Sequence, residues 1–326
     1  MTGLGHVAVI TDTGRRRRRN EDAYVCEPPL FAIADGMGGA QAGEVASRLA
    51  AAALKESGAA TGGEERIYDL IQEANRRVYE RSSTDPSTSG MGTTITVALV
   101  EKGNVAFGHV GDSRAYLIRD GRMEQITEDH SLVNELMKSG KLSREEAEAH
   151  PQRSVITRAL GTDPDVDVDT FTIEAQTEDV FLLCSDGLTD MVAENEIFEL
   201  VDENRPDIDA ALKALVKAAN RSGGEDNITV VAFEIGDTAL THDGETRENV
   251  VPPGLDDEDT LSEEDAVPVL DTALISGEEI QAELEARERE DRKIRRRHLR
   301  RRIVAWLAVI LIAAAAAVVL YLRFVR

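Results

Sequence analysis

The sequence predicts an α+β fold, a four-layer α/β/β/α sandwich of two antiparallel sheets, with one C-terminal transmembrane helix. Three observations carry this expectation. Short apolar runs of β type recur through residues 1–236, interleaved with a few amphipathic helical stretches. Several consecutive runs are separated by turn-sized gaps. That spacing suits antiparallel pairing, whereas a doubly wound parallel sheet needs a crossover between strands. Far beyond these runs lies one stretch of 20 residues without a charge.

The elements follow in order. MTGLGHVAVITDTG opens on a strand over 5–10 and a turn, with no apolar signal sequence before it. LFAIA gives a strand at 30–34. An alanine-rich helix covers about 43–57. In EERIYDLIQEANRRVYERS the apolar residues Ile67, Leu70, Ile71, Ala74 and Val78 recur at helical spacing on one face. Strands at 93–100, 104–110 and 114–119 read as hairpins. A helical stretch follows, then a strand at 179–184. DIDAALKALVKAANRS is helical, with Ile208, Ala211, Leu212, Leu215, Val216 and Ala219 on one face, and 228–235 is the last strand.

The rest of the chain differs. Residues 237–291 carry 19 acidic and 3 basic side chains, with Pro252, Pro253 and Pro268 and few aromatics, and read as a disordered linker. Fifty-five flexible residues span roughly 40 Å r.m.s.. Residues 292–302 (RKIRRRHLRRR) are a basic juxtamembrane segment. Residues 303–322, IVAWLAVILIAAAAAVVLYL, are predicted to be a transmembrane helix about 30 Å long. Trp306 and Tyr321 stand near its ends, as interfacial aromatics do. The positive-inside rule puts the catalytic body, 1–236, on the cytoplasmic side of a single-pass cell-membrane protein.

The chain's net charge is −24, and the body remains acidic once the tail is set aside, so nucleic-acid binding is excluded as an expectation. Two cysteines, Cys26 and Cys184, make a disulfide framework improbable.

Four aspartates sit where apolar runs end: Asp35 in LFAIADGMGG, Asp112 in VAFGHVGDSRAYLI, Asp186 in DVFLLCSDGL and Asp226 in GGEDNITVVAFEI. Carboxylates gathered in a fold are very unfavourable unless cations hold them. An all-oxygen ligand set selects a hard ion, Mg²⁺ or Mn²⁺, over Zn²⁺. Two such cations sharing a carboxylate would activate a water for attack on phosphorus. A phosphate also needs a cationic fork, and Arg15 to Arg19 supply five in a row.

With these residues in view, the chain resembles the metal-dependent Ser/Thr protein phosphatases of the type-2C class, in their bacterial form. The matching segments run through residues 3–235: RRNEDAY (18–24), FAIADGMGG (31–39), GMGTTITVALV (90–100), GHVGDSRAYLI (108–118), ITEDHSLV (126–133), ITRALG (156–161), LLCSDGLTD (182–190) and GGEDNITVV (223–231). Each alone is weak, because Asp-Gly turns are common. Eight in order are specific.

The resemblance implies roles. Asp35 would bridge two metals, with the Gly36 carbonyl on the second. Asp186 and Asp226 would complete the first, and Glu21 and Asp22 would hold the second, mostly through water. Asp112 would bind a third, weaker ion. Arg17 lines up best with the phosphate-binding arginine, Arg16 and Arg18 remaining open. The catalytic set is Arg17, Asp35 and Asp186. Thr93 and Thr94 read as structural, and 131–154 as the flap beside the site. Relatives from eukaryotes often carry a His general acid where this chain has Met37. The proton would then come from a metal-associated water or from His109 or His130.

The expected reaction is hydrolysis of phosphoserine and phosphothreonine on proteins, with two Mn²⁺ or Mg²⁺ ions and a weakly bound third. The expected partners are phosphoproteins and a Ser/Thr kinase whose work the enzyme opposes. Two rivals differ in class: a phosphohydrolase for small molecules or regulator proteins, and a pseudophosphatase that only binds. The second normally lacks a metal aspartate, and none is missing here.

Overall fold

The computed structural model describes residues 2–38, 42–58, 61–148, 150–205, 207–237 and 247–250. The transmembrane helix at 303–322, the basic segment at 292–302 and most of the linker lie outside these residues. Among the described residues no helix is long and apolar enough to cross a membrane.

In chain order the strands are β1 (Thr2–Asp12), β2 (Asp22–Glu27), β3 (Leu30–Met37), β4 (Gly92–Thr93), β5 (Ile95–Glu101), β6 (Asn104–Val110), β7 (Arg114–Arg119), β8 (Arg122–Gln125), β9 (Asp169–Glu174), β10 (Val180–Cys184), β11 (Ile228–Asp237) and β12 (Arg247–Val250). The helices are α1 (Ala42–Ser57), α2 (Gly63–Thr84), α3 (Leu132–Lys138), α4 (Arg144–Glu148), α5 (Asp186–Thr189), α6 (Glu194–Glu203) and α7 (Ile208–Arg221).

The strands form two sheets. One has the order β12-β1-β11-β10-β7-β8, and the other β2-β3-β5-β6-β9 with β4 added to β3. Every pairing is antiparallel except β1 with β12. The α+β reading and the two-sheet sandwich therefore hold.

Period-2 burial explains the layers. On β3, Phe31 and Ile33 face the space between the sheets, while Leu30, Ala32 and Ala34 face α1 and α2. On β10, Phe181 and Leu183 point between the sheets, while Val180, Leu182 and Cys184 face α6 and α7. Both strands are buried on both faces, which is why they read as unbroken apolar runs. Phe31 stacks on Phe233 from the other sheet at 4.3 Å between ring centroids. Such a pair contributes about 0.5–1.5 kcal/mol beyond area burial.

Three expectations need correction. First, 104–110 and 114–119 do not form a hairpin. β6 pairs with β5 and β9, and β7 with β10 and β8. Phe107 of β6 and Leu117 of β7 both face the layer between the sheets. The chain therefore crosses the sandwich at Gly111-Asp112-Ser113. Second, Asp35 does not end a strand, since β3 continues to Met37. Third, the stretch read as linker is not wholly linker: β11 runs to Asp237, and Arg247–Val250 pair with Ala8–Thr11. An edge strand offers unpaired backbone groups to which a further strand can add.

Candidate active site

One polar cleft, of about 160 Å³, is lined by Arg17, Glu21, Asp35, Gly36, Met37, Gly38, Asp112, Ile156, Asp186 and Asp226. Five of these ten residues are carboxylates and one is a cation. The cleft gathers side chains from both sheets. Asp35 comes from β3, and Asp186 opens α5 directly after β10. Asp112 sits at the sandwich crossing, and Asp226 just before β11.

The backbone around Asp35 is clamped. Its N–H donates to Thr94 Oγ1 at 3.0 Å, and its carbonyl accepts from Thr93 Oγ1 at 2.8 Å and from Thr94 N–H at 2.9 Å. Thr94 Oγ1 also meets Ser113 Oγ at 2.9 Å, tying the Asp35 and Asp112 segments together. The paired threonines thus have the structural part expected of them.

Two glycines explain the Asp-Gly pairs. A Cβ on Gly36 would stand 2.2 Å from the carbonyl oxygen of Gly43, in the first turn of α1. A Cβ on Gly187 would stand 2.1 Å from the carbonyl oxygen of Asn227. Each aspartate is placed by backbone packing that a side chain on the next residue would prevent.

Of the five arginines, Arg17 alone lines the cleft, and Arg15, Arg16, Arg18 and Arg19 are exposed. Arg17 Nη2 donates to Asp226 Oδ2 at 2.7 Å, while its Nε is buried without a partner. Glu21 lines the cleft, and Asp22 does not. Asp22 Oδ2 instead accepts from Ser185 Oγ at 2.9 Å, and its Oδ1 is buried without a hydrogen-bond partner. Adjacent residues in extended backbone point to opposite sides, so only one of the acidic pair can enter the cleft directly.

Electrostatics mark the cluster. Burial raises the Asp35 carboxyl well above its ordinary range, and the charges of Asp22, Asp186, Asp226 and Asp112 add to the shift. Asp186 is raised in the same way, by burial and then by Asp112 and Asp226. Burial pushes Asp22 up to about 6 and Asp112 up to about 7. Asp186 Oδ1 is buried without a partner.

This donor set fits hard divalent cations: oxygen atoms only, excess negative charge and orphaned buried carboxylate oxygens. Among the described residues, no group of three His, Cys, Asp or Glu side chains converges as closely as the ligands of one bound ion. Asp226 is turned to Arg17.

Neither histidine offered as a proton donor lines the cleft. His109 is fully buried; its Nδ1 meets Thr96 Oγ1 and its Nε2 the Glu128 carbonyl. Burial, then the neighbouring His130, pushes it down to about 4. His130 Nδ1 accepts from Gly111 N–H at 3.0 Å, which leaves Nε2–H for Asp169. His130 thus braces the Gly111 crossing, while His109 is tied to Thr96 and the Glu128 carbonyl.

Sequence reasoning gave no role to Asn227. Its Oδ1 accepts from Glu21 N–H, and its Nδ2 donates to the carbonyls of Thr13 and Arg19. It fastens the arginine loop and Glu21 to the Asp226 segment. Its place directly after Asp226 was the available signal. Asp190, whose charge raises Asp112, was also missed. Ser131 caps α3 in the expected flap, and flap residue Arg153 has Nη2 3.8 Å from Asp190 Oδ2.

The family profile for protein phosphatase 2C matches residues 15–219. The serine/threonine phosphatase stp of Listeria monocytogenes serotype 4b (strain F2365) is 43% identical over 241 residues, covering 70% of this chain and 95% of that protein. The crystal structure of the Mycobacterium tuberculosis serine/threonine phosphatase PstP/Ppp superposes with a TM-score of 0.68 at 38% identity, covering 73% of this chain and 100% of that one. A structure of the PstP catalytic domain in complex with two manganese ions matches with a TM-score of 0.66 at 36% identity, over 73% of this chain and 100% of that one.

Proposed function

The chain belongs to the protein phosphatase 2C family, and from that premise we propose a membrane-tethered phosphatase that opposes a Ser/Thr kinase. The reaction is metal-dependent removal of phosphate from phosphoserine and phosphothreonine on proteins. The observation that carries it in this chain is the cleft itself, where five carboxylates surround a single inward arginine.

Asp35, Asp186 and Asp226 are the proposed holders of the first Mn²⁺ or Mg²⁺. Asp35 and the Gly36 carbonyl would hold the second, with Glu21 and Asp22 near it, and Asp112 a weaker third. When bound, such ions supply charge neutralisation and a water acidified enough to attack phosphorus.

The protein's own groups do the rest. Arg17 forks two phosphate oxygens once Asp226 releases it, fixing the phosphoryl group for in-line displacement. Thr93 and Thr94 keep Asp35 from drifting, since they hold its backbone at both ends. Met37 and Ile156 close part of the cleft wall without offering a proton. The leaving hydroxyl therefore takes its proton from solvent, because neither His109 nor His130 lines the cleft and the ring nitrogens of both are engaged elsewhere.

The uncharged run at 303–322 and the basic cluster before it support the tether, with 1–302 on the cytoplasmic side. Substrates are then kinase targets at or near the membrane. Phosphopeptides assayed against sugar phosphates and nucleotides, with Mn²⁺ and with EDTA, test the reading. Metal-dependent turnover confined to the peptides supports it, and preference for a small phosphate ester would overturn it.

A further inference from the structure

A phosphate site needs one inward arginine, yet this loop carries five in succession. Arg17 takes the inward position, and Arg15, Arg16, Arg18 and Arg19 are exposed around it. Arg19 lies 3.8 Å from Glu44. Arg15, Arg16 and Arg18 form no ion pair among the described residues.

The loop is not a loose charged strand. Gly14 N–H donates to Asp12 Oδ1 at 2.8 Å. The Gly224 carbonyl accepts from Arg15 N–H at 2.7 Å and from Arg16 N–H at 3.2 Å. Asn227 Nδ2 holds the carbonyls of Thr13 and Arg19, both at 2.9 Å. Arg17 is tied to Asp226. The backbone from 13 to 19 is thus fastened along 224–227, at the lip of the cleft. Three exposed arginines leave that fastened backbone within one or two residues of the phosphate arginine.

The surroundings sharpen the point. The phosphatase body is strongly acidic, and so is the cleft. A phosphopeptide with acidic neighbours would be repelled by such a body at long range. Exposed arginines beside the phosphate offset that repulsion where the peptide must lie. Arginine forks match carboxylates as well as phosphates.

We propose that Arg15, Arg16 and Arg18 form a specificity rim selecting phosphoserine and phosphothreonine sites flanked by Asp or Glu. This rests on the phosphatase reading above. The rim acts on binding of the flanking residues and leaves the chemistry at phosphorus alone.

The test uses the full-length chain in detergent, as wild type and as the triple variant R15S/R16S/R18S, with R18E as a single-site second variant. Turnover is compared on one phosphothreonine peptide with Glu, Gln or Lys flanks, and on p-nitrophenyl phosphate. For wild type, KM for the Glu-flanked peptide should be about tenfold below that for the Gln-flanked one, from several exposed charge pairs. Raising salt from roughly 50 to roughly 500 mM should erode the difference. The triple variant should reduce it to under about twofold, with p-nitrophenyl phosphate turnover and kcat kept, and R18E should lower it in part.

Equal KM values in wild type, or a preference that survives in the triple variant, would overturn the proposal. Fluorescence anisotropy of the same peptides in EDTA reads the rim without turnover. A rim-dependent binding preference with no hydrolysis would sink the phosphatase reading and leave the rim standing.

Discussion

Arg17 Nη2 stands 2.7 Å from Asp226 Oδ2, so the one cation lining the cleft is held by one of its carboxylates. The contact balances part of a large excess of negative charge. It also holds at the cleft the guanidinium that we propose an incoming phosphate claims. Arg17→Lys keeps the charge and loses the fork. Its KM for phosphopeptide should rise by about tenfold or more, with the melting temperature little changed. Steady-state kinetics on both proteins decide this, and an unchanged KM would remove Arg17 from the phosphate site.

Backbone packing behind the aspartates gives a second expectation. Gly36→Ala and Gly187→Ala each place a methyl about 2 Å from a carbonyl oxygen, Gly43's and Asn227's respectively. Neither neighbour is the end of a flexible side chain, so backbone must shift. Each variant should lose several degrees of melting temperature, equivalent to about 1–3 kcal/mol, and most of its activity. Scanning calorimetry with a p-nitrophenyl phosphate assay tests both.

The raised carboxylates predict how stability follows pH. Asp22 and Asp112 titrate at about 6 and about 7 in the folded chain, because of burial. In the unfolded chain they titrate near 4. The folded form therefore holds more protons between these values, and its stability falls as pH rises through them. His109 and His130, lowered chiefly by burial, work the other way, losing stability as pH falls below about 6.5. Between pH 6.5 and 7.5 the raised carboxylates, Asp35 and Asp186 among them, outweigh the two histidines. In EDTA the melting temperature should drop across that interval, and Asp112→Asn should lessen the drop. Mn²⁺ should remove it in wild type, since a bound cation favours the ionised carboxylate. A melting temperature that rises with pH in EDTA would contradict this.

The tether has its own test. Deleting 303–322 should move the protein from the membrane pellet to the supernatant on fractionation, with p-nitrophenyl phosphate turnover kept. Unchanged pelleting would contradict the membrane reading of that run.

Much of the fold was legible because burial on both faces leaves a mark. LFAIA and VFLLC are continuous apolar runs, since each strand packs helices on one side and the opposite sheet on the other. Strands β8 (RMEQ) and β9 (DTFTIE) lie at sheet edges and are only partly covered, so little selects apolar residues there. The hairpin misreading at 104–119 has the same root. Turn length told that two strands were consecutive, but not that the chain had changed sheets.

At the site, residue type was legible and parity was not. The arginine run and the Glu21-Asp22 pair announced their chemistry. Which member faces the cleft depends on strand phase, fixed here by Asn227 and Gly224 holding the loop from 208 or more residues away. Asp35, Asp186 and Asp226 needed no such choice, because each lies within or close beside a strand whose phase the core sets.

The most direct measurement is Mn²⁺-dependent release of phosphate from a phosphothreonine peptide by wild type and Asp186→Asn side by side. Asp186 lines the cleft with its Oδ1 buried and lacking any hydrogen-bond partner, and Asn keeps its volume while removing its charge. The account predicts turnover in wild type that EDTA abolishes. It predicts a fall of about 100-fold or more in the variant, of the size seen when a transition-state electrostatic group is lost, with an unchanged circular dichroism spectrum. A folded Asp186→Asn protein that keeps wild-type turnover would contradict it.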